Sequence, residues 1–138
     1  MEITNSTRQT IQSGANVLFT DTLQPCVKCI KHRAGSGLVT LRGITNQCNA
    51  KFLVSFHANI AANASATTAM TFAITMDGEP LNNTTMLVSP SDTGAFYNVS
   101  TQTYIDVSKG CCVTIAVKNT SGQSVVVDNP DLIVTRVA

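Results

Sequence analysis

The chain has no tryptophan, only two histidines, and aromatic residues at 5%. Charged side chains make up 12%, about half the share usual in globular domains. Each shortage excludes something. A Ser/His/Asp or Cys/His nucleophilic site would have to use His32 or His57. His57 falls mid-strand and His32 in a Lys/Arg-rich loop, and neither accompanies a G-x-S-x-G elbow. The glycines at AGSG, residues 34–37, lack the Lys-Ser/Thr that completes a phosphate loop. Net charge is +1, and the nearest thing to a basic patch, Lys28, Lys31, His32 and Arg33, is small and has no interleaved aromatics, which excludes a nucleic-acid-tracking surface. No stretch approaches the roughly 18–20 apolar residues of a membrane helix. The first 14 residues, MEITNSTRQTIQSG, are polar and lack the apolar core of a secretory signal, so the expectation is a protein made in a cytoplasm and not exported by the standard route. The sequons at Asn5, Asn63, Asn82, Asn83, Asn98 and Asn119 then reflect Asn and Thr abundance rather than glycosylation.

What is there is Thr, Ser, Asn, Gln and Val, in short runs that alternate with period two. In KFLVSFHANI, Phe52, Val54, Phe56, Ala58 and Ile60 share one face, and Lys51, Leu53, Ser55, His57 and Asn59 the other. In TAMTFAITM, Met70, Phe72, Ile74 and Met76 oppose Thr71, Ala73 and Thr75. That run meets Asp77-Gly78, a favoured two-residue hairpin turn, and Glu79–Val88 reads as its return, with Pro80 at an edge or bulge. VLFTD, GSGLVTLRGI, FYNVSTQTYIDV (with a break near Ser100), CCVTIAVKN, SVVVD and DLIVTRV complete the set, the last ones separated by turns at Lys109-Gly110, Ser121-Gly122 and Asn129-Pro130. The Ala-rich stretch 58–69 favours a loop over a helix. The spacing predicts an all-β, antiparallel sandwich or jelly roll of about 8–10 strands over residues 15–138. Residues 1–14 lack the pattern and read as an N-terminal arm.

The five cysteines, Cys26, Cys29, Cys48, Cys111 and Cys112, include one C-x-x-C knuckle. A structural zinc site needs a second, and adjacent Cys111-Cys112 point to opposite faces of a strand. A thioredoxin-type motif needs a helix and a βαβ setting that are missing. The structural reading puts Cys111 in the core, by parity with Val113, Ile115 and Val117. It leaves one or two disulfides open among Cys26, Cys29, Cys48 and Cys112. The carboxylates Asp77, Glu79, Asp92, Asp128 and Asp131 sit beside turns, and the Asp128–Asp131 oxygens are the one set suited to calcium in an assembly. No catalytic residue, metal or cofactor follows from these patterns, and no enzyme is expected.

The lead strand NVLFTDT, the central FLVSFHANI, the turn-bounded CCVTIAVKN and the closing NPDLIVTRVA resemble the tumour-necrosis-factor-like class of small trimeric jelly rolls, which includes complement globular heads and the C-terminal domains of bacterial exosporium collagen-like proteins. The series PC-x-x-C, GSG-x-x-TLRGI, DGEP, FYNV and GCC-x-T-x-AV is similar to small proteins of phages and prophages, over roughly residues 16–138. The resemblance implies a homotrimer. It points to a capsid-decoration, head-fibre or related surface protein of a bacteriophage virion, made in the host cytoplasm. No Gly-X-Y collagen stalk is present, so the protein would sit directly on a larger particle, with residues 1–14 as the attachment arm. Candidate trimer-interface residues are Leu53, Ser55, His57, Asn59, Gln102 and Tyr104. The alternative is a bacterial surface or spore-coat module, or a host-glycan-binding jelly roll, although Tyr97 and Tyr104 are the only Tyr or Trp faces for a sugar. Neither nucleic acid nor membrane is an expected partner.

Overall fold

A computed structural model describes residues 1–24, 28–63 and 68–138. Among the described residues twelve strands follow one another: β1 (Glu2–Thr4), β2 (Gln9–Ile11), β3 (Asp21–Gln24), β4 (Ile30–His32), β5 (Val39–Arg42), β6 (Asn49–Ala62), β7 (Met70–Met76), β8 (Glu79–Pro80), β9 (Met86–Val88), β10 (Tyr97–Ser108), β11 (Cys112–Asn119) and β12 (Val125–Arg136). One sheet, here sheet A, runs β10-β6-β12-β1-β3, with β2 also on β12. The other, sheet B, runs β4-β5-β11-β7-β8, with β9 on β7. Every pairing is antiparallel. The fold is a two-sheet jelly-roll sandwich, as the spacing predicts. The surplus over 8–10 strands comes from β1, β2, β4, β8 and β9, whose two or three residues are too few to show a period.

Alternation builds the core. Phe52, Val54, Phe56, Ala58 and Ile60 of β6 are all buried, facing Met70, Phe72 and Ile74 of β7 and Val113, Ile115 and Val117 of β11. Phe19 meets the edge of Phe56 at 6.4 Å between ring centres. The β7–β8 turn has φ of 52° at Asp77 and 88° at Gly78, the double positive-φ geometry that Asp-Gly favours. Asp77 then accepts from Thr114 N at 2.9 Å, tying the turn to β11.

Four expectations are corrected. Residues 1–14 are not an arm. β1 lies between β12 and β3, and β2 pairs with β12, while Ile3 and Ile11 sit in the core. The Met1 ammonium donates to Val134 O at 2.7 Å. Three-residue strands carry one core side chain each, so no alternation is visible. Asn129-Pro130 is not a turn between two strands but a bulge inside β12. Asp128 pairs with Asn59 and Asp131 with His57, Asn129 takes φ 54°, and the register slips between them. A bulge also accommodates Pro130, which has no N–H to contribute. β10 runs unbroken past Ser100. The return after Asp77-Gly78 is interrupted by a 3-10 turn, Asn82–Thr84, whose buried Thr84 hydroxyl accepts from Ile74 N at 2.9 Å.

Candidate assembly interface

The outer face of sheet A gathers the sequence-selected residues. Across β10 and β6 the register sets Tyr104 opposite Leu53, Gln102 opposite Ser55, Ser100 opposite His57 and Asn98 opposite Asn59. β12 then adds Thr135 beside Leu53, Ile133 beside Ser55, Asp131 beside His57 and Asp128 beside Asn59. All six candidates, Leu53, Ser55, His57, Asn59, Gln102 and Tyr104, therefore share one surface. Tyr104 is 62% exposed and Ile133 36%, and Leu53 between them is half-buried. This places an exposed apolar strip on a face that otherwise carries Ser, Gln and Asn with a few paired charges, and such a strip marks a contact surface. Ile133, Asp131 and Glu2 were invisible as partners because β12 and β1 reach this face from the two ends of the chain. The only available signal was that Ile133 breaks the polar parity of DLIVTRV.

The face is organised by hydrogen bonds. His57 Nε2 donates to Asp131 Oδ2 at 3.0 Å, and Asp131 Oδ1 is buried without a partner. Glu2, paired with Ile133 one step along β12, lies beside this carboxylate. Its carboxyl is held above the ordinary 4.5, first by the hydrogen bond that only its protonated form can donate to Asp131 and then by that group's negative charge. On the rung beside His57, Asn98 Nδ2 donates to Asn59 Oδ1 at 3.2 Å, and at the opposite end of the face Lys51 lies 5.6 Å from the Tyr104 ring centre.

A second feature borders this face. Arg8 pairs with Asp128 at 2.9 Å and stacks 4.8 Å above the Phe96 ring. With Thr10, Ala62, Asn63 and Val126 they line a cleft of about 320 Å³. Tyr97 is not available as a sugar platform in the same way. Its hydroxyl meets Ser91 Oγ at 3.2 Å, a contact that also holds it below its usual acidity constant.

The cysteines do not build a site. Cys29 is buried, whereas Cys48, Cys111 and Cys112 are exposed, and all four are free thiols. Cys26 lies outside the described residues. The core placement of Cys111 is therefore corrected. The turn at Lys109-Gly110 extends through Cys111, whose N bonds back to Ser108 O at 2.9 Å, and strand parity starts only at Cys112. Among the described residues, no group of three or more His, Cys, Asp or Glu is placed to hold a metal ion.

No family model matches the sequence, and no curated protein matches it either. Solved structures do match the fold. The globular domain of zebrafish complement 1qA superposes with a TM-score of 0.70 at 11% identity, covering 99% of this chain and 95% of that one. Murine APRIL at pH 8.5 gives 0.63 at 8% identity, covering 97% and 95%. Murine APRIL at pH 5.0 gives 0.59 at 10%, covering 95% and 96%. The architecture is thus the jelly roll of complement globular heads and tumour-necrosis-factor-like proteins. At such identities the likeness is one of fold alone.

Proposed function

We propose that the chain is a non-catalytic structural protein that assembles as a homotrimer through the outer face of sheet A and decorates the surface of a bacteriophage particle. The observation that carries the assembly is the Tyr104–Leu53–Ile133 strip, open on an otherwise hydrogen-bonded face. The strands of this sheet hold five carboxylates, Glu2, Asp21, Asp106, Asp128 and Asp131, against two cations, Lys51 and Arg136. The surplus of carboxylates disfavours pairing of this face with itself across a twofold axis. Such a face suits a heterologous contact that closes as a ring. The virion assignment rests on the resemblance to phage and prophage proteins. Because residues 1–14 are woven into the sheet, attachment would use a folded surface rather than an arm.

Light scattering of the purified protein, with and without reductant, tests the assembly. Three times the chain mass of 14.6 kDa, unchanged by reductant, supports it, and a single-chain mass overturns it. Peptide mass spectrometry of purified particles tests the virion part.

The Arg8–Phe96 cleft favours a second reading, a glycan-binding surface module of a bacterium or its phage. An aromatic wall, a guanidinium and the nearby amides of Asn59, Asn98 and Asn129 are the groups that hold a sugar ring. Glycan-array binding abolished by Phe96→Ala would establish it.

A further inference from the structure

We propose that the outer face of sheet A is a proton-linked contact, in which Glu2, Asp131 and His57 share protons so that copies of this chain associate more tightly in mildly acidic solution and loosen as the pH rises. This deepens the assembly reading and rests on it.

The geometry centres on Asp131. One of its oxygens accepts from His57 at 3.0 Å, and the other is buried with no donor. Both carboxylate oxygens want donors. Thr4, directly opposite Asp131, gives its hydroxyl to Pro130 O at 2.6 Å, so among the described residues the second donor falls to a protonated Glu2, the diagonal neighbour across β1 and β12. The remaining charged groups around them are accounted for. On β1 the Met1 ammonium is tied to Val134 O. On β3 Asp21 stands across Thr4. On β10 the residues facing β6 here are Ser100 and Gln102, both neutral. Asp128 is engaged by Arg8, and Lys51 and Asp106 face each other at 4.0 Å further along the sheet.

Three protonation states differ in how well they tolerate being covered. With His57 charged, Asp131 ionised and Glu2 protonated, the cluster carries no net charge and both Asp131 oxygens have donors. Removing the Glu2 proton leaves two adjacent carboxylates and strips the donor from a buried oxygen. Neutralising His57 as well leaves the cluster at two negative charges. In the single chain, water around the half-open Glu2 relieves that repulsion. A second copy seated on the face expels the water, and a buried unpaired charge is costly.

The sign follows from linkage. Glu2 is a carboxyl whose affinity for its proton is raised on folding, so its contribution is present at low pH and lost as the pH rises through its elevated value. Covering the face raises it further. Each additional unit strengthens association by about tenfold per subunit in the protonated state.

The test measures the dissociation constant of the full chain by light scattering over a concentration series at about pH 5 and about pH 8, with circular dichroism confirming the fold at both. The wild type should weaken by about tenfold or more on going to the higher pH. Glu2→Gln, whose amide donates to Asp131 without a proton to lose, should lose most of that change. The Glu2→Gln, His57→Gln double variant should show none. An assembled wild type with the same constant at both pH values overturns the proton linkage and leaves the assembly reading standing. A Glu2→Gln variant with the full wild-type change overturns the role of Glu2. A single chain under all conditions overturns both readings.

Discussion

The two sheets are alike inside and opposite outside. Both bury Phe, Ile and Val on their inner sides. Outside, β4, β5, β7 and β11 of sheet B carry Lys31, Arg42 and Lys118 and no carboxylate, amid Thr40, Thr71 and Thr114, and β8 adds Glu79 at the turn. Sheet A carries Glu2, Asp21, Asp106, Asp128 and Asp131, with the His57–Asp131 pair and the Tyr104–Leu53–Ile133 strip. A Thr- and Lys-bearing face is comfortable in water, and its cations blunt the exposed edge at β4. The contrast teaches that the core alone would not distinguish the sheets. What separates them is the side chains that each shows on its outer side.

The strongest way to break the contrast is to remove residues 1–14, which belong to sheet A only. That deletes β1 and β2 and takes Ile3 and Ile11 from the core. Each buried Ile is worth about 1.5–3 kcal/mol, before the lost strand pairing is counted, against a typical net stability of about 5–15 kcal/mol. The expected outcome is loss of a cooperative thermal unfolding transition. A truncated protein that melts like the full chain would show that the two strands are dispensable.

Next come substitutions that ask whether the interiors are truly equivalent. Phe56→Ala in sheet A and Phe72→Ala in sheet B remove rings that are 1% and 0% exposed. Each should cost about 3–5 kcal/mol in urea unfolding. A marked inequality would mean that one sheet can collapse around the void and the other cannot. Asn119→Ala probes the seam between strands. Its amide donates to Ile11 O at 2.9 Å and Gln123 O at 2.8 Å and its oxygen accepts from Ser121 N at 3.0 Å, all in a fully buried position. Stranding these groups should cost about 1–3 kcal/mol. The same burial removes Asn119 from the sequons that a folded chain could present.

How far the sequence foretold this depends on the length over which a pattern runs. β6 and β7 are long enough for parity to fix every inward side chain, and Asp77-Gly78 declares its turn through backbone chemistry. The six face residues were found because they ride on β6 and β10, which are adjacent and long. Their acidic half was not found, since Glu2 and Asp131 are brought together by pairing between opposite ends of the chain. Asn129-Pro130 reads as a turn because local rules cannot see that β6 continues alongside and absorbs the extra residue in a bulge. Gly43 is a similar case. A Cβ there would meet Ser108 O at 2.1 Å, a close approach of the chain after β5 to the end of β10 that no local signal reports. Gly43→Ala should destabilise by about 1–3 kcal/mol, read as a lowered urea midpoint.

The smallest expected effect on folding is the most informative about the faces. Tyr104→Ala and Ile133→Ser on sheet A, and Thr114→Ser and Lys118→Ser on sheet B, all alter side chains that at least partly meet solvent in the single chain. Surface changes of this kind usually stay within about 0.5 kcal/mol of the parent, so all four variants should unfold at nearly the parent midpoint. Their solution masses should then divide by sheet. Truncating the apolar strip removes surface whose burial drives association, so Tyr104→Ala and Ile133→Ser should dissociate at concentrations where the parent is assembled, whereas the sheet B pair should not. Equal loss of assembly from both sheets would mean that contacts run all round the molecule. Loss from sheet B alone would reverse the assignment, making the basic Thr-rich face the contact and leaving the strip on sheet A for another ligand.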